Sequence, residues 1–351
     1  MMKRGTRSTK TNLHIMDMDK FIPPFIKLIE EHSFTSEQIY FISGEVSQSP
    51  ATKRGRVVLS SFFSRRWARF LWLVKAMNSA DKIVLHGLFN LRIVILLFLQ
   101  PWLLRRSYWL LWGGDLYKKQ LPRNFRWYVS EFFRYPVIKY LGYIVAGVPG
   151  DFSLVKDWYG TRAAHIECLI YPSNMYTEYP VVFQVGCSLN VQVGNSADPS
   201  NNHLEVFEKL EQFRDLNIQV YVPLAYGDDA HRKLVLAEGE RRFGDRFKPL
   251  LNLLSFSEYL DFLAMVDVAI FAHHRQQAFG NKVTLLGLGK KVVFRKESTL
   301  WDVFKKRNVI VYDFSNFNLE RLPAETANHN REQVKMSFSK EALLASLDWM
   351  N

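Results

Sequence analysis

Apolar residues in this chain fall into two alternating kinds of run. Short runs of three to six positions are rich in Val, Ile, Leu and aromatics. Longer ones space their apolar residues three and four apart among polar ones. Short buried strands separated by amphipathic helices are the mark of a parallel α/β sheet. The pattern predicts strands at 13–16, 38–42, 57–59, 83–86, 108–112, 143–145 and 166–170, with helices at 20–32, 65–77, 91–104, 124–141 and 152–158. It breaks over the turn-rich YPSNMYTEY at 171–179. It resumes with strands at 189–193, 219–222, 248–253, 267–271, 291–294 and 309–312, and helices at 201–213, 230–243, 257–265, 281–288 and 340–350. The fold class is therefore α/β, in two similar halves, 1–175 and 176–351, with a boundary near 172–188 and no internal repeat. Two Rossmann-like domains facing each other across a cleft are expected, with the last helix free to pack back on the first. In such sheets ligands sit at the carboxyl ends of the strands, so the strand-to-helix loops carry the chemistry.

Length agrees: at 351 residues the chain exceeds the size at which single cores stop growing. Cys168 and Cys187 are the only cysteines, too few for a disulfide framework, which points to a reducing compartment. The formal charge of +12 is unevenly placed. The first 140 residues carry all of the excess, and the remainder is close to neutral. Arg65, Arg66, Arg69, Arg105, Arg106, Lys118, Lys119, Arg123, Arg126 and Arg134 are interleaved there with Trp67, Trp72, Trp102, Trp109, Trp112 and Trp127. Basic residues mixed with Trp suit the headgroup layer of an anionic bilayer; a solvated basic surface over a Trp-rich core has the same composition. The opening MMKRGTRSTK has no apolar segment behind it, so no signal peptide is expected. The most apolar window, 93–104, is shorter than the roughly 20 residues of a spanning helix, so the chain is expected to be soluble or peripheral.

Five loops look chemical. After the strand at 189–193 comes Gly194-Asn195-Ser196-Ala197-Asp198-Pro199-Ser200-Asn201-Asn202-His203. Its free N–H groups and small hydroxyls, at a helix start, suit a phosphate. Plain turn chemistry with Ser200 as helix cap explains the same residues. No Gly-x-Gly-x-x-Gly or Walker loop is present, against a dinucleotide or NTPase site. After the strand at 267–271 comes His273-His274-Arg275-Gln276-Gln277-Ala278-Phe279-Gly280-Asn281. Arg275 can grip a diphosphate with two parallel hydrogen bonds, and a helix beginning near Asn281 points its positive end the same way. The paired histidines lack a third ligand at metal spacing, so no metal is expected. Tyr226, in the loop 223–227, adds an aromatic wall or simply packs.

In the first half, His86 ends a predicted strand and runs into Gly87-Leu88-Phe89-Asn90, and Asp115 follows Gly113 and Gly114. Either is placed to deprotonate an acceptor hydroxyl; equally, His86 is structural and Asp115 a helix cap. Asp17 and Asp19, at the end of the first strand, are lesser candidates, with Asp-x-Asp spacing.

Together these loops resemble the bacterial 4-α-L-fucosyltransferase family, glycosyltransferase family 56. The strings HGLFN at 86–90, LWGGDLY at 111–117, VGNSADPSNNH at 193–203, VPLAYG at 222–227 and RQQAFG at 275–280 are similar to the family's, in the same order and at similar spacing. The resemblance implies a GT-B glycosyltransferase. The implied donor is a dTDP-linked 4-amino-4,6-dideoxyhexose, 4-acetamido-4,6-dideoxygalactose-like, and the acceptor a polyprenyl-diphosphate-linked saccharide. The implied role is in enterobacterial common antigen, O-antigen or capsule synthesis. It further implies a peripheral place on the cytoplasmic face of a bacterial inner membrane, with no metal or other cofactor. Carried onto this chain, the donor pocket takes Gly194, Asn195, Ser196, Tyr226, Arg275, Gln276 and Gln277, which Ser200 joins from the phosphate-loop reading. His86, Asn90 and Asp115, with Gly113 and Gly114, meet the acceptor. Gly113-Gly114-Asp115 departs slightly from the family's Gly-Ala-Asp. Thr284 stands where many GT-B enzymes hold the ribose with a carboxylate. Two other readings stay open: a related transferase using another nucleotide sugar, and a non-catalytic basic module binding anionic lipid or nucleic acid. Against nucleic acid, no helix-turn-helix, RRM or zinc signature is present.

Overall fold

The computed structural model describes residues 10–32, 34–44, 55–62, 65–179 and 186–351. The basic opening, residues 1–9, and positions 180–185 of the expected boundary lie outside the described residues. The chain divides into two compact units, Met1–Ser173 joined by Leu343–Asn351, and Asn174–Ala342.

In the first unit the strands are β1 (Thr11–Asp17), β2 (Glu37–Ser43), β3 (Arg56–Leu59), β4 (Lys82–His86), β5 (Ser107–Leu110), β6 (Tyr143–Ala146) and β7 (Ala164–Glu167). The helices are α1 (Ile22–Glu31), α2 (Arg66–Ser79), α3 (Leu91–Leu99), α4 (Phe125–Tyr140) and α5 (Pro149–Tyr159). The second unit has strands β8 (Leu189–Val193), β9 (Ile218–Pro223), β10 (Phe247–Leu250), β11 (Val268–Phe271), β12 (Lys291–Phe294) and β13 (Tyr312–Asp313). Its helices are α6 (His203–Glu211), α7 (Asp229–Phe243), α8 (Phe256–Met265), α9 (Phe279–Gly287), α10 (Leu300–Lys306) and α11 (Ala324–Ser337), and α12 (Lys340–Ser346) leads to the C-terminal segment. The sheet orders are β3-β2-β1-β4-β5-β6-β7 and β10-β9-β8-β11-β12-β13. All the pairings are parallel. Both sheets thus follow the doubly wound Rossmann order, whose direction reverses between β1 and β4 and between β8 and β11. Ligand crevices form outside the carboxyl ends of those pairs.

Period-two alternation sorts the first sheet into unlike faces. Leu13, Ile15, Phe41, Ile83, Leu85 and Trp109 join one apolar core with residues of α2, α3, α4 and α5. Asn12, His14, Gln38 and His86 are also buried, on the alternate positions. Phe25 of α1 packs against the His14 and His86 rings.

Several elements differ from the pattern. The helix expected over 91–104 ends at Leu99, because Pro101 cannot continue it, and a 3-10 turn (Pro101–Arg106) follows. The strand expected over 309–312 is only the two-residue β13. Asn330 of α11 takes the place of a strand neighbour there, its side chain bonding both the N–H and the C=O of Ile310. The strand expected over 166–170 ends at Glu167, and Ile170 turns left-handed, with φ +66°. Helices α10 and α11 escaped the pattern because one is seven residues long and the other buries only Ala327, Asn330 and Val334. Among the described residues no helix is long and apolar enough to cross a membrane. Cys168 is buried, Cys187 exposed, and both are free.

The C-terminal segment locks onto the amino ends of the first sheet's strands. Asn12 Nδ2 and Ser36 Oγ donate to Met350 O at 2.7 and 2.8 Å, and Lys82 Nζ donates to Trp349 O at 2.5 Å. The Trp349 ring stacks on Tyr108 at 5.0 Å, and Tyr108 on Tyr143 at 4.2 Å. Met350 is fully buried. Met350→Ala is expected to cost about 2–5 kcal/mol in the first unit. Eight of the nine tryptophans lie in that unit, so urea unfolding followed by tryptophan fluorescence reads it directly. Its midpoint should fall, while the far-UV signal keeps an unshifted component from the second unit.

Candidate active site

In the first unit, the loops after β4 and β5 are tied together by Asp115, which is wholly buried. Its Oδ2 accepts from Leu88 N at 2.9 Å and Trp109 Nε1 at 2.6 Å. Its Oδ1 accepts from Trp112 N at 3.1 Å and Leu116 N at 3.0 Å. From α4, the buried Arg134 donates to Leu88 O at 2.6 Å and Asp115 O at 2.8 Å, and pairs with Glu131 at 3.0 Å. Glu131 also meets Lys119 and Tyr159. The expected roles for this loop pair are corrected accordingly. Asp115 is neither a helix cap nor a base at the rim, because four donors occupy its oxygens beneath the loops. Asn90 Oδ1 caps α3 by accepting from Arg92 N at 3.1 Å. Gly113 turns the backbone at φ +80°, and Gly114 lies beside the Phe89 ring.

His86 is also buried, inside a chain of hydrogen bonds. The Trp112 indole N–H donates to Tyr171 OH at 2.7 Å, which leaves the phenol proton for His86 Nδ1, also at 2.7 Å. His86 Nε2 then donates to His14 Nδ1 at 3.0 Å, and His14 Nε2 to Gln38 Oε1 at 2.9 Å. Gln38 Nε2 donates to Ser36 Oγ at 2.8 Å, and Ser36 donates to Met350 O. Gln38 Oε1 only accepts and burial disfavours the charged rings, so the chain has one direction and both histidines are neutral, Nε2-protonated rings. Burial holds the His14 ring down to about 4 and His86 well below the usual histidine value, with the neighbouring His14 adding to the latter. Of the two readings of His86, base or structural residue, its burial and its two ring partners fit the structural one. Asp17 and Asp19 are exposed carboxylates at the end of β1, of which Asp17 closes the strand. The negative charge of Asp17 acts on Lys118, whose amine burial pushes below the usual lysine value. Lys118 donates to Phe89 O at 3.1 Å and lies over that ring.

In the second unit, Asn201 plays the tying part for the loops after β8 and β11. Its Oδ1 accepts from Asn195 N at 2.9 Å and from His273 Nε2 at 3.0 Å. Its Nδ2 donates to Ser196 Oγ and Asp198 O. Gly194 sits at φ +66°, and a Cβ there would come within 2.6 Å of Asn201 Oδ1. The Ser196 hydroxyl is buried in this knot instead of facing out. Ser200 does not cap α6: Asp198 caps the preceding turn, accepting from Ser200 N at 2.9 Å. Ser200 Oγ meets Asp198 at 2.5 Å and Gln277 Oε1 at 2.8 Å, which links the two loops. Asn195 Nδ2 reaches Tyr226 OH at 3.4 Å, and Tyr226 is 44% exposed.

Arg275 and Gln276 are half-buried on the second loop. Among the described residues Arg275 makes no ion pair, although its charge helps to hold Asp198 below the usual carboxylate value. Helix α9 begins at Phe279, after a left-handed Ala278, with no side-chain cap. Its first N–H groups therefore stand beside Arg275, an anion-binding arrangement. Thr284, in the middle of α9, is half-buried and away from that end. Behind the loop lies Lys282, wholly buried and lowered to about 7 by burial. Its amine donates to Gln277 O at 2.6 Å and stands over the Phe271 and Phe294 rings. Among the described residues no three His, Cys, Asp or Glu side chains are grouped to hold a metal ion.

Sequence reasoning missed His14, Tyr171 and Lys282 and the tying role of Asn201, and it set Arg134, which is buried, among the basic residues of a membrane-facing surface. One signal was available: polar residues on alternate positions of an otherwise apolar strand, as in Asn12-Leu13-His14-Ile15.

Two outcomes follow. Asp115→Asn turns an amide N–H₂ toward N–H donors and should destabilise the first unit by about 3–5 kcal/mol, read as a fall in the tryptophan-monitored midpoint. A surface base would instead lose turnover at unchanged stability. His14, His86, His203 and His273 all have folded values pushed down by burial. The unfolded chain therefore binds more protons below about pH 6.5. Stability is full above that pH and is lost as pH falls from about 6.5 toward 4, by about 1.4 kcal/mol per pH unit for each ring that stays neutral. Urea midpoints measured from pH 7.5 to 4.5 check this.

The fold is found in solved structures of low identity. HepE from Anabaena, in complex with UDP and glucose, matches with a TM-score of 0.66 at 11% identity, over 96% of this chain and 98% of that one. Sucrose-phosphate synthase from Thermosynechococcus elongatus matches at 0.62 and 12%, over 97% and 98%. The N-terminal domain of Candida albicans trehalose-6-phosphate phosphatase matches at 0.65 and 9%, over 99% and 97%. The architecture is GT-B. Residues 27–344 match the family model described as 4-alpha-L-fucosyltransferase, glycosyl transferase group 56, and the chain belongs to that family of glycosyltransferases.

Proposed function

We propose that this enzyme moves a 4-amino-4,6-dideoxyhexose, 4-acetamido-4,6-dideoxygalactose-like, from a dTDP-sugar to a polyprenyl-diphosphate-linked saccharide, in cell-surface polysaccharide synthesis at the cytoplasmic face of a bacterial inner membrane. The observation that carries the donor half is Arg275. It is an ion-pair-free guanidinium beside an uncapped helix start, at the carboxyl end of β11, where the sheet order reverses. Cation and helix dipole together would neutralise a diphosphate leaving group as charge develops, without a metal ion. Asn195, Tyr226, Gln276 and Gln277 line the same loops. Asp17 is the carboxylate we assign to the acceptor hydroxyl's proton, since it is exposed at the end of β1, beside Lys118.

The membrane half rests on the surface of α2, α3 and α4. Trp67, Phe70, Leu99, Trp102, Phe125 and Phe132 are exposed there, among Arg65, Arg66, Arg105, Arg123 and Arg126. Exposed Trp and Phe among arginines fit the headgroup layer of anionic lipid and would bring the enzyme to a lipid-linked acceptor.

A thermal-shift comparison of dTDP, UDP and GDP tests the donor. The largest stabilisation is expected from dTDP, and Arg275→Ala should remove most of it, a loss of about 2–3 kcal/mol for one charge-assisted contact pair. Asp17→Asn should keep the dTDP shift and lose transfer. A larger shift with UDP, the nucleotide bound by HepE, would assign a UDP-sugar donor instead.

A further inference from the structure

Trp112 is fixed twice over. Its backbone N–H is held by Asp115 Oδ1 and its indole N–H by Tyr171 OH. Behind Tyr171 runs the one-way chain through His86, His14, Gln38 and Ser36. Burying five polar side chains is costly unless each finds a partner. Here each does, and the end of the chain that approaches the surface is an indole. Trp112 itself is half-buried at the carboxyl end of β5. Phe21, Phe89 and Tyr171 meet it edge-to-face at 5.7, 5.9 and 5.2 Å, and among the described residues no ring stacks parallel on it. Phe89, 37% exposed, is locked in turn: Lys118 lies over its ring, and a Cβ on Gly87 would strike it at 2.6 Å. Asp17, Asp19 and Lys20 are exposed at the end of β1 and the start of α1, and Lys20 lies over Phe21. A rigid aromatic surface rimmed by carboxylates and amines matches a pyranose ring. The C–H face of the sugar lies on the ring while its hydroxyls reach the charged groups.

We infer that Trp112, flanked by Phe21 and Phe89, is a stacking subsite for a pyranose ring of the acceptor saccharide, and that Tyr171 is the positioning residue that sets the indole's plane. The inference rests on the glycosyl-transfer reading above and deepens its acceptor side. No residue of the donor loops takes part, so the two are tested apart.

The test is saturation-transfer NMR on the full chain with a panel of methyl hexopyranosides that differ in which ring hydroxyls are axial. Saturation is expected to fall mainly on the C–H protons of one pyranose face. Trp112→Ala should weaken that signal about tenfold, whereas Trp112→Phe, which keeps a ring and guards against a folding defect, should keep part of it. Tyr171→Phe keeps every ring and frees the indole. It should raise KM for the acceptor about threefold, the scale of one hydrogen bond, and leave kcat and the dTDP thermal shift unchanged. One-faced saturation that survives in Trp112→Ala overturns the subsite. So does its absence in wild-type protein that dTDP still stabilises, and that result leaves the donor reading standing. One-faced saturation lost in Trp112→Ala, in protein that dTDP does not stabilise, keeps the subsite and sinks the dTDP reading instead.

Discussion

Each unit hangs its functional loops from one buried polar side chain. In the first it is the Asp115 carboxylate, which gathers N–H groups from the loops after β4 and β5. In the second it is the Asn201 amide, which gathers Asn195 N, Ser196 and His273 from the loops after β8 and β11. The doubly wound order opens a crevice where the strand direction reverses, but it leaves loop backbone there without sheet partners. A single side chain that satisfies several of those groups gives the crevice a rigid floor. Removing it leaves several buried donors unmatched at once, and each then costs its full desolvation.

The two tying groups differ in charge. An anionic tie suits the first unit, where Arg134, Lys118 and Lys119 crowd the same loops. In the second unit the tie is a neutral amide, and Arg275, on the neighbouring loop, makes no ion pair among the described residues. Asp198 feels the charge of Arg275, and its oxygen is already engaged by Ser200. Lys282 adds an amine behind the loop, lowered by burial and, among the described residues, without an ion pair.

The two faces of the first sheet show the same economy of polar groups. One is an ordinary apolar core under α2, α3, α4 and α5. The other carries Asn12, His14, Gln38 and His86, which are stable there because they join into one chain that closes on the C-terminal segment. That segment is thus a structural partner of the relay, and its Trp349 ring continues the Tyr108–Tyr143 stack. Stability of the first unit and orientation of Trp112 are coupled through it.

Both sheets were legible in the sequence because strand and helix periods are local properties of the chain. The loops bearing the site were legible too, from glycines at left-handed turns, as at Gly113 and Gly194, and from motifs whose order matched a family. The role of each side chain was not. His86 and Asp115 end strands or follow glycines just as exposed bases would, and only their neighbours decide. Arg134 and Leu88, distant in sequence, close over Asp115; Tyr171 and His14 close over His86. Charge and hydrogen-bonding capacity are set by residue type, but exposure and partner are set by packing between elements far apart in the chain. Asp17, a lesser candidate by pattern, is the base we propose because β1 ends at the reversal of the strand order, which only the pairing of β1 with both β2 and β4 determines.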